Sequence, residues 1–88
     1  MFKNKSKNGC NNICGSKIFE LRKAHVPKMS QRILAEKLQL NGIDVDKNAI
    51  QRIECGKRFV TDIELVVFSK IFNVSCDVLL SSEKNIDT

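Results

Sequence analysis

Few side chains in this sequence are suited to bond-making chemistry. There is one histidine, His25, and there are four cysteines, Cys10, Cys14, Cys55 and Cys76. Cys10 and Cys14 form the only close pair, and His25 has no partner at ligand spacing, so the pattern is poor for zinc. No Ser/His/Asp set, phosphate-cradling glycine loop or carboxylate pair in an apolar setting is present. The expectation is a protein that is not an enzyme and holds no metal and no cofactor. Without a secretory segment a reducing compartment is expected, which argues against structural disulfides. The cysteines then read as small apolar filler or surface thiols. A redox-sensing Cys55, close to Lys57 and Arg58, is the one reactive role left open.

The groups able to recognise a partner are more informative. Lys47, Asn48, Gln51 and Arg52 alternate with Ala49, Ile50 and Ile53 at helical spacing, so a helix would turn the polar four outward together. Arg and Lys donate to guanine in a DNA major groove, and Asn and Gln bond adenine in bidentate fashion. Around them Ser30, Gln31, Arg32, Lys57 and Arg58 are of the kinds that contact phosphate oxygens. Two helix amino ends aimed the same way would add backbone donors for phosphate. Fifteen Lys and Arg against ten Asp and Glu give a net charge of +5. The first 60 residues carry +8 and the last 28 carry −3, the asymmetry of a basic face meeting a polyanion.

The elements that must position these groups fit one small domain. Eighty-eight residues, 42% hydrophobic and 28% charged, suit an ordinary globule with a compact core. No stretch approaches the ~18–20 unbroken apolar residues of a membrane helix, and no signal-peptide pattern follows Met1, so a cytoplasmic location is expected. Residues 1–12, with Lys3, Lys5 and Lys7, read as a disordered basic arm, residues 13–80 as the folded domain and residues 81–88 as a disordered tail. The arm could track the minor groove or simply solubilise the chain.

Apolar spacing of three and four throughout the middle predicts an all-α fold of five helices. The first spans about Ile13 to Ala24, capped by Asn12, with Ile18 and Leu21 inward. Pro27 forces a turn, and Ser30 caps the second, whose inner stripe is Leu34, Ala35 and Leu38. Gly42 interrupts. Asp46 caps the third, which turns Ala49, Ile50 and Ile53 inward and closes at a left-handed Gly56. Thr61-Asp-Ile-Glu64 is a capping box opening the fourth, which buries Leu65, Phe68, Ile71 and Phe72. Asn73 ends it, and Ser75 caps a fifth with Val78, Leu79 and Leu80.

Several motifs in this order resemble a known family. They are Ile18-Phe-Glu-Leu-Arg-Lys23, Ser30-Gln31 with Leu34-Ala-Glu-Lys-Leu38, and Ala49-Ile-Gln-Arg-Ile-Glu-Cys-Gly-Lys-Arg58. Glu64-Leu65, Phe68-Ser-Lys-Ile-Phe72 and Asn73-Val-Ser75 with Asp77 and Leu79-Leu80 complete the set. Together they look like the phage Cro and repressor type of helix-turn-helix protein, the XRE family, over roughly Ile13 to Leu80. The resemblance implies a five-helix lambda-repressor-like DNA-binding domain and a sequence-specific transcriptional regulator of repressor type. Such a protein is expected to bind double-stranded DNA as a homodimer on a near-palindromic operator.

By the same resemblance Lys47, Asn48, Gln51 and Arg52 meet bases. Gln31, Lys57 and Arg58 meet phosphate and Gln31 also braces the recognition helix, while Ser30 and Arg32 are expected phosphate contacts from their residue type beside Gln31. Arg22 and Glu54 match an internal salt bridge of the family. The chain departs from the pattern in a lengthened turn between Leu38 and Asp46, a longer stretch from Arg22 to Ser30, and Cys55 in place of a frequent asparagine. The alternative reading is a protein-interaction module, such as an antitoxin or anti-repressor partner, that keeps the fold and uses another surface.

Overall fold

The structure, a computed structural model, describes residues 11–80. The expectations for residues 1–10 and 81–88 lie outside that range. Among the described residues there are five helices and no strand: α1 (Gly15–Ala24), α2 (Gln31–Leu40), α3 (Lys47–Glu54), α4 (Asp62–Phe72) and α5 (Cys76–Leu80). None is long and apolar enough to cross a membrane.

Local chemistry sets most of the boundaries. Ser30 accepts the Ile33 N–H through its hydroxyl, and Asp46 accepts the Ala49 N–H at 2.9 Å, each satisfying a donor that the helix itself leaves unpaired. The capping box of α4 is complete, with Glu64 N–H donating to the Thr61 hydroxyl and Thr61 N–H to the Glu64 carboxylate. At the other ends, α2 and α3 stop on left-handed glycines, Gly42 (φ 86°) and Gly56 (φ 83°), and α4 on left-handed Asn73 (φ 56°). After each of the three the chain closes with the same two bonds: Ile43 N–H to Leu38 O, Lys57 N–H to Arg52 O and Val74 N–H to Ser69 O are the members of each pair that reach back five residues.

One boundary moves. The first helix begins at Gly15 rather than Ile13, and Cys14 takes the cap position without a side-chain bond. Asn12 still serves the helix, its Oδ1 accepting the Gly15 N–H at 2.8 Å. At that start the chain is crowded, since a Cβ at Gly15 would meet the carbonyl oxygen of Ile53 well inside contact distance. Only glycine lets the start of α1 lie this close to the end of α3.

The core draws on every helix: Ile18 of α1, Leu34, Ala35 and Leu38 of α2, Ile50 and Ile53 of α3, Val67 and Phe68 of α4, and Leu79 of α5. Each of the larger of these side chains, fully buried, stabilises the fold by about 1.5–3 kcal/mol. Three connecting residues join them, Cys14, Met29 and Val45. In α4 the sequence stripe is rotated: Val67 is buried with Phe68, whereas Leu65, Ile71 and Phe72 are only half-buried. Leu21 and Ala49 are likewise half-buried against the core.

The lengthened connection between α2 and α3 is ordered by its own contacts. Gln39 Nε2 donates to the Val45 carbonyl at 2.6 Å, Val45 is buried, and Ile43 packs on the core. The extra residues are thereby folded back against α2, and α2 and α3 pack on each other more extensively than any other pair of helices.

Candidate nucleic-acid interface

The site is best built from the inner side of α3 outward. Ile50 and Ile53 are fully buried against α1 and α2, so the opposite side of this two-turn helix must face solvent. Lys47, Asn48, Gln51 and Arg52 occupy that side and all four are exposed. None of their side chains bonds to another described residue. One helix face therefore presents two cations and two carboxamides with their donors and acceptors open.

The carboxyl end of α3 is fixed by a buried charge network. Arg22 of α1 donates from Nε to Glu54 Oε2 at 2.6 Å and from Nη2 to Glu54 Oε1 at 3.0 Å, with the two side chains 9% and 5% exposed. The third arm of the guanidinium reaches the Met29 carbonyl at 3.2 Å. Gln31, the first residue of α2, donates from Nε2 to Glu54 Oε1 at 2.9 Å. One carboxylate thus collects donors from α1 and α2 and holds both to the end of α3, a fully satisfied arrangement in which a buried pair is tolerated. The Gln31 bond gives that residue the bracing role. It also sets the first residue of α2 beside the carboxyl end of α3.

The other expected phosphate contacts differ in availability. Ser30 is half-buried with its hydroxyl engaged as the α2 cap. Arg32 is exposed and makes only a loose pair with Glu36 at 3.7 Å, a contact worth little in water. Lys57 is exposed, immediately after left-handed Gly56.

Arg58 is committed elsewhere. Its two Nη atoms each lie 3.0 Å from a Glu64 oxygen, and Nη1 also donates to the Phe59 carbonyl. Burial pushes the Glu64 carboxyl up, but the Arg58 fork and the Thr61 N–H outweigh it and hold Glu64 below its ordinary value of 4.5. The same bonds raise the Arg58 pKa. The capping box placed Glu64 in the sequence, yet only the fold brings Arg58 onto it, so Arg58 reads as a tie between the α3–α4 connection and α4.

Two residues that the sequence reading put in the arm belong to this region. Asn11 and Asn12 are half-buried and bond to carbonyls at the end of α3 and just beyond it. The sequence signal was present, since consecutive asparagines before a helix are local hydrogen-bonders, but their partners lie more than 40 residues away.

Cys14 is buried in the core and its thiol is pushed up to about 11, first by that burial. Cys55 is exposed, its Sγ 3.6 Å from the Arg52 carbonyl. His25 contacts the Pro27 carbonyl through Nδ1 and meets the Phe72 ring edge-on. Among the described residues no group of three or more His, Cys, Asp or Glu side chains could hold a metal ion. No family model, no curated protein and no solved structure matches this chain.

Proposed function

We propose that the chain is a sequence-specific DNA-binding regulator of the Cro and repressor helix-turn-helix type, acting as a repressor, with α2 and α3 as the two helices of the motif. The observation that carries this reading is the open face of α3. Lys47, Asn48, Gln51 and Arg52 project together from a helix whose opposite side is locked to α1 and α2. In this reading α3 enters the major groove and these four read bases. Arg32 and Lys57 meet phosphates on either side, with Ser30 and Gln31 beside them. One such module reads few bases, so it works as a homodimer on a near-palindrome with half-sites ~10 base pairs apart. For the dimer, α5 offers Val78 and Leu80, which are exposed, and not Leu79, which is fully buried in the core.

Selection of bound duplexes from a random pool, repeated with Arg52→Ala, tests the reading. An enriched near-palindrome that blurs in the variant is expected. A second reading, a protein-interaction module, is favoured by exposed Ile63 and Val66, spaced three apart on α4. Salt separates the two. A dimer neutralising on the order of six phosphates loses about 10³-fold in affinity between 50 and 200 mM salt. Absence of duplex binding at low salt would leave the interaction module as the surviving reading.

A further inference from the structure

We infer that Asn11 and Asn12 are positioning residues, a strap that fixes the Gly56–Arg58 turn and so holds Lys57 ready for a DNA phosphate; the second half rests on the DNA-binding reading. The strap is built of four bonds to the far end of α3. Asn11 donates its backbone N–H to the Gly56 carbonyl at 2.7 Å and its Nδ2 to the Lys57 carbonyl at 2.8 Å. Asn12 donates through Nδ2 to the Ile53 carbonyl at 3.1 Å and to the Arg58 carbonyl at 2.7 Å. Its Oδ1 is meanwhile held by the Gly15 N–H, which orients the carboxamide from the α1 side.

Ile53 O also accepts the Gly56 N–H, but the Gly56, Lys57 and Arg58 carbonyls find no partner within the turn itself. Beyond its last turn a helix leaves acceptors unpaired, and the closing bonds of Gly56 and Lys57 use their N–H groups, not their carbonyls. On its N–H side the turn is already closed onto α3 by the Gly56, Lys57 and Arg58 amides, and Arg58 is tied to Glu64, so the strap supplies the anchors on the carbonyl side of what is otherwise a surface loop. A lysine on such a loop must be ordered when it meets a phosphate, and that cost is subtracted from affinity. With the Gly56, Lys57 and Arg58 carbonyls all fixed, the ordering is already done on folding. Only the Lys57 side chain, which is exposed, is left to settle.

Two substitutions separate positioning from folding. Asn11→Ala removes the bond to Lys57 but leaves the backbone bond to Gly56. Asn12→Asp keeps the acceptor for the Gly15 N–H and removes both donated bonds. Amide hydrogen exchange without DNA is read first. The Lys57 and Arg58 amides are expected to exchange about tenfold faster, with the Leu34 and Phe68 amides unchanged. Equal acceleration at Leu34 and Phe68, or none at Lys57, overturns the strap.

Binding of the whole chain to a random-sequence duplex is then measured against salt. Lys57→Ala in the unaltered background should lower the salt slope by about one per protomer. In the Asn11→Ala background the same change should have less than half that effect, because Lys57 is no longer held. Full additivity overturns the positioning role. If the unaltered chain binds no duplex at low salt, the DNA-binding reading and the Lys57 role fall together, while the exchange pattern decides the strap on its own.

Discussion

Glu54→Gln isolates the interaction that ties α3 to the rest of the fold. The carboxylate accepts three side-chain bonds, at 2.6 and 3.0 Å from Arg22 and 2.9 Å from Gln31, and is 5% exposed. A glutamine has the same shape but one acceptor oxygen, and its amide turns a donor toward a guanidinium or amide that also donates. The Arg22 charge stays buried, its carboxylate replaced by at most one neutral amide oxygen beside the Met29 carbonyl. Breaking a buried pair from one side costs about 3–5 kcal/mol. For a domain of this size that is a large share of total stability, and each kcal/mol shifts Tm by about 4–8 °C. The assay is urea unfolding followed by far-UV circular dichroism, for Glu54→Gln, for Arg22→Met and for the two combined. Each single change should cost about 3 kcal/mol, and the combination clearly less than their sum, with coupling of about 2–3 kcal/mol. Single costs below about 1 kcal/mol, or simple additivity in the double variant, would refute the claim that this buried pair anchors α3.

Other outcomes follow from the same structure. Gly15→Ala should destabilise the chain by roughly 2 kcal/mol or more in thermal unfolding, although alanine is the better helix former by about 1 kcal/mol, because its Cβ meets the Ile53 carbonyl. Glu64 is held below its ordinary 4.5 in the folded state, so the stability it contributes is complete above that value and lost as pH falls through the folded pKa. The acid side of the stability–pH curve should therefore flatten in Glu64→Gln, and an unchanged curve would remove Glu64 as its cause. With its thiol pushed up to about 11 and buried, Cys14 should resist iodoacetamide at neutral pH while exposed Cys55 reacts, as peptide mapping by mass spectrometry would show.

The local sequence determined the helices. Ser30, Asp46 and the Thr61–Glu64 box fix starts, and Gly42, Gly56 and Asn73 fix ends, because caps and left-handed turns are decided within four or five residues. The face of α3 carrying Lys47, Asn48, Gln51 and Arg52 was legible for a related reason, since Ile50 and Ile53 leave only one side for burial. Tertiary structure decided the rest. Met29 and Val45 join the core from connections that carry no helical period, and α4 is turned so that Val67 is buried while Ile63 stays exposed. Arg58 is drawn to Glu64, and Asn11 and Asn12 are drawn to the end of α3. These side chains have groups that bond equally well to water, phosphate or protein. What selects the partner is which chain segments the packed core brings within about 3 Å, and no spacing along the sequence encodes that distance.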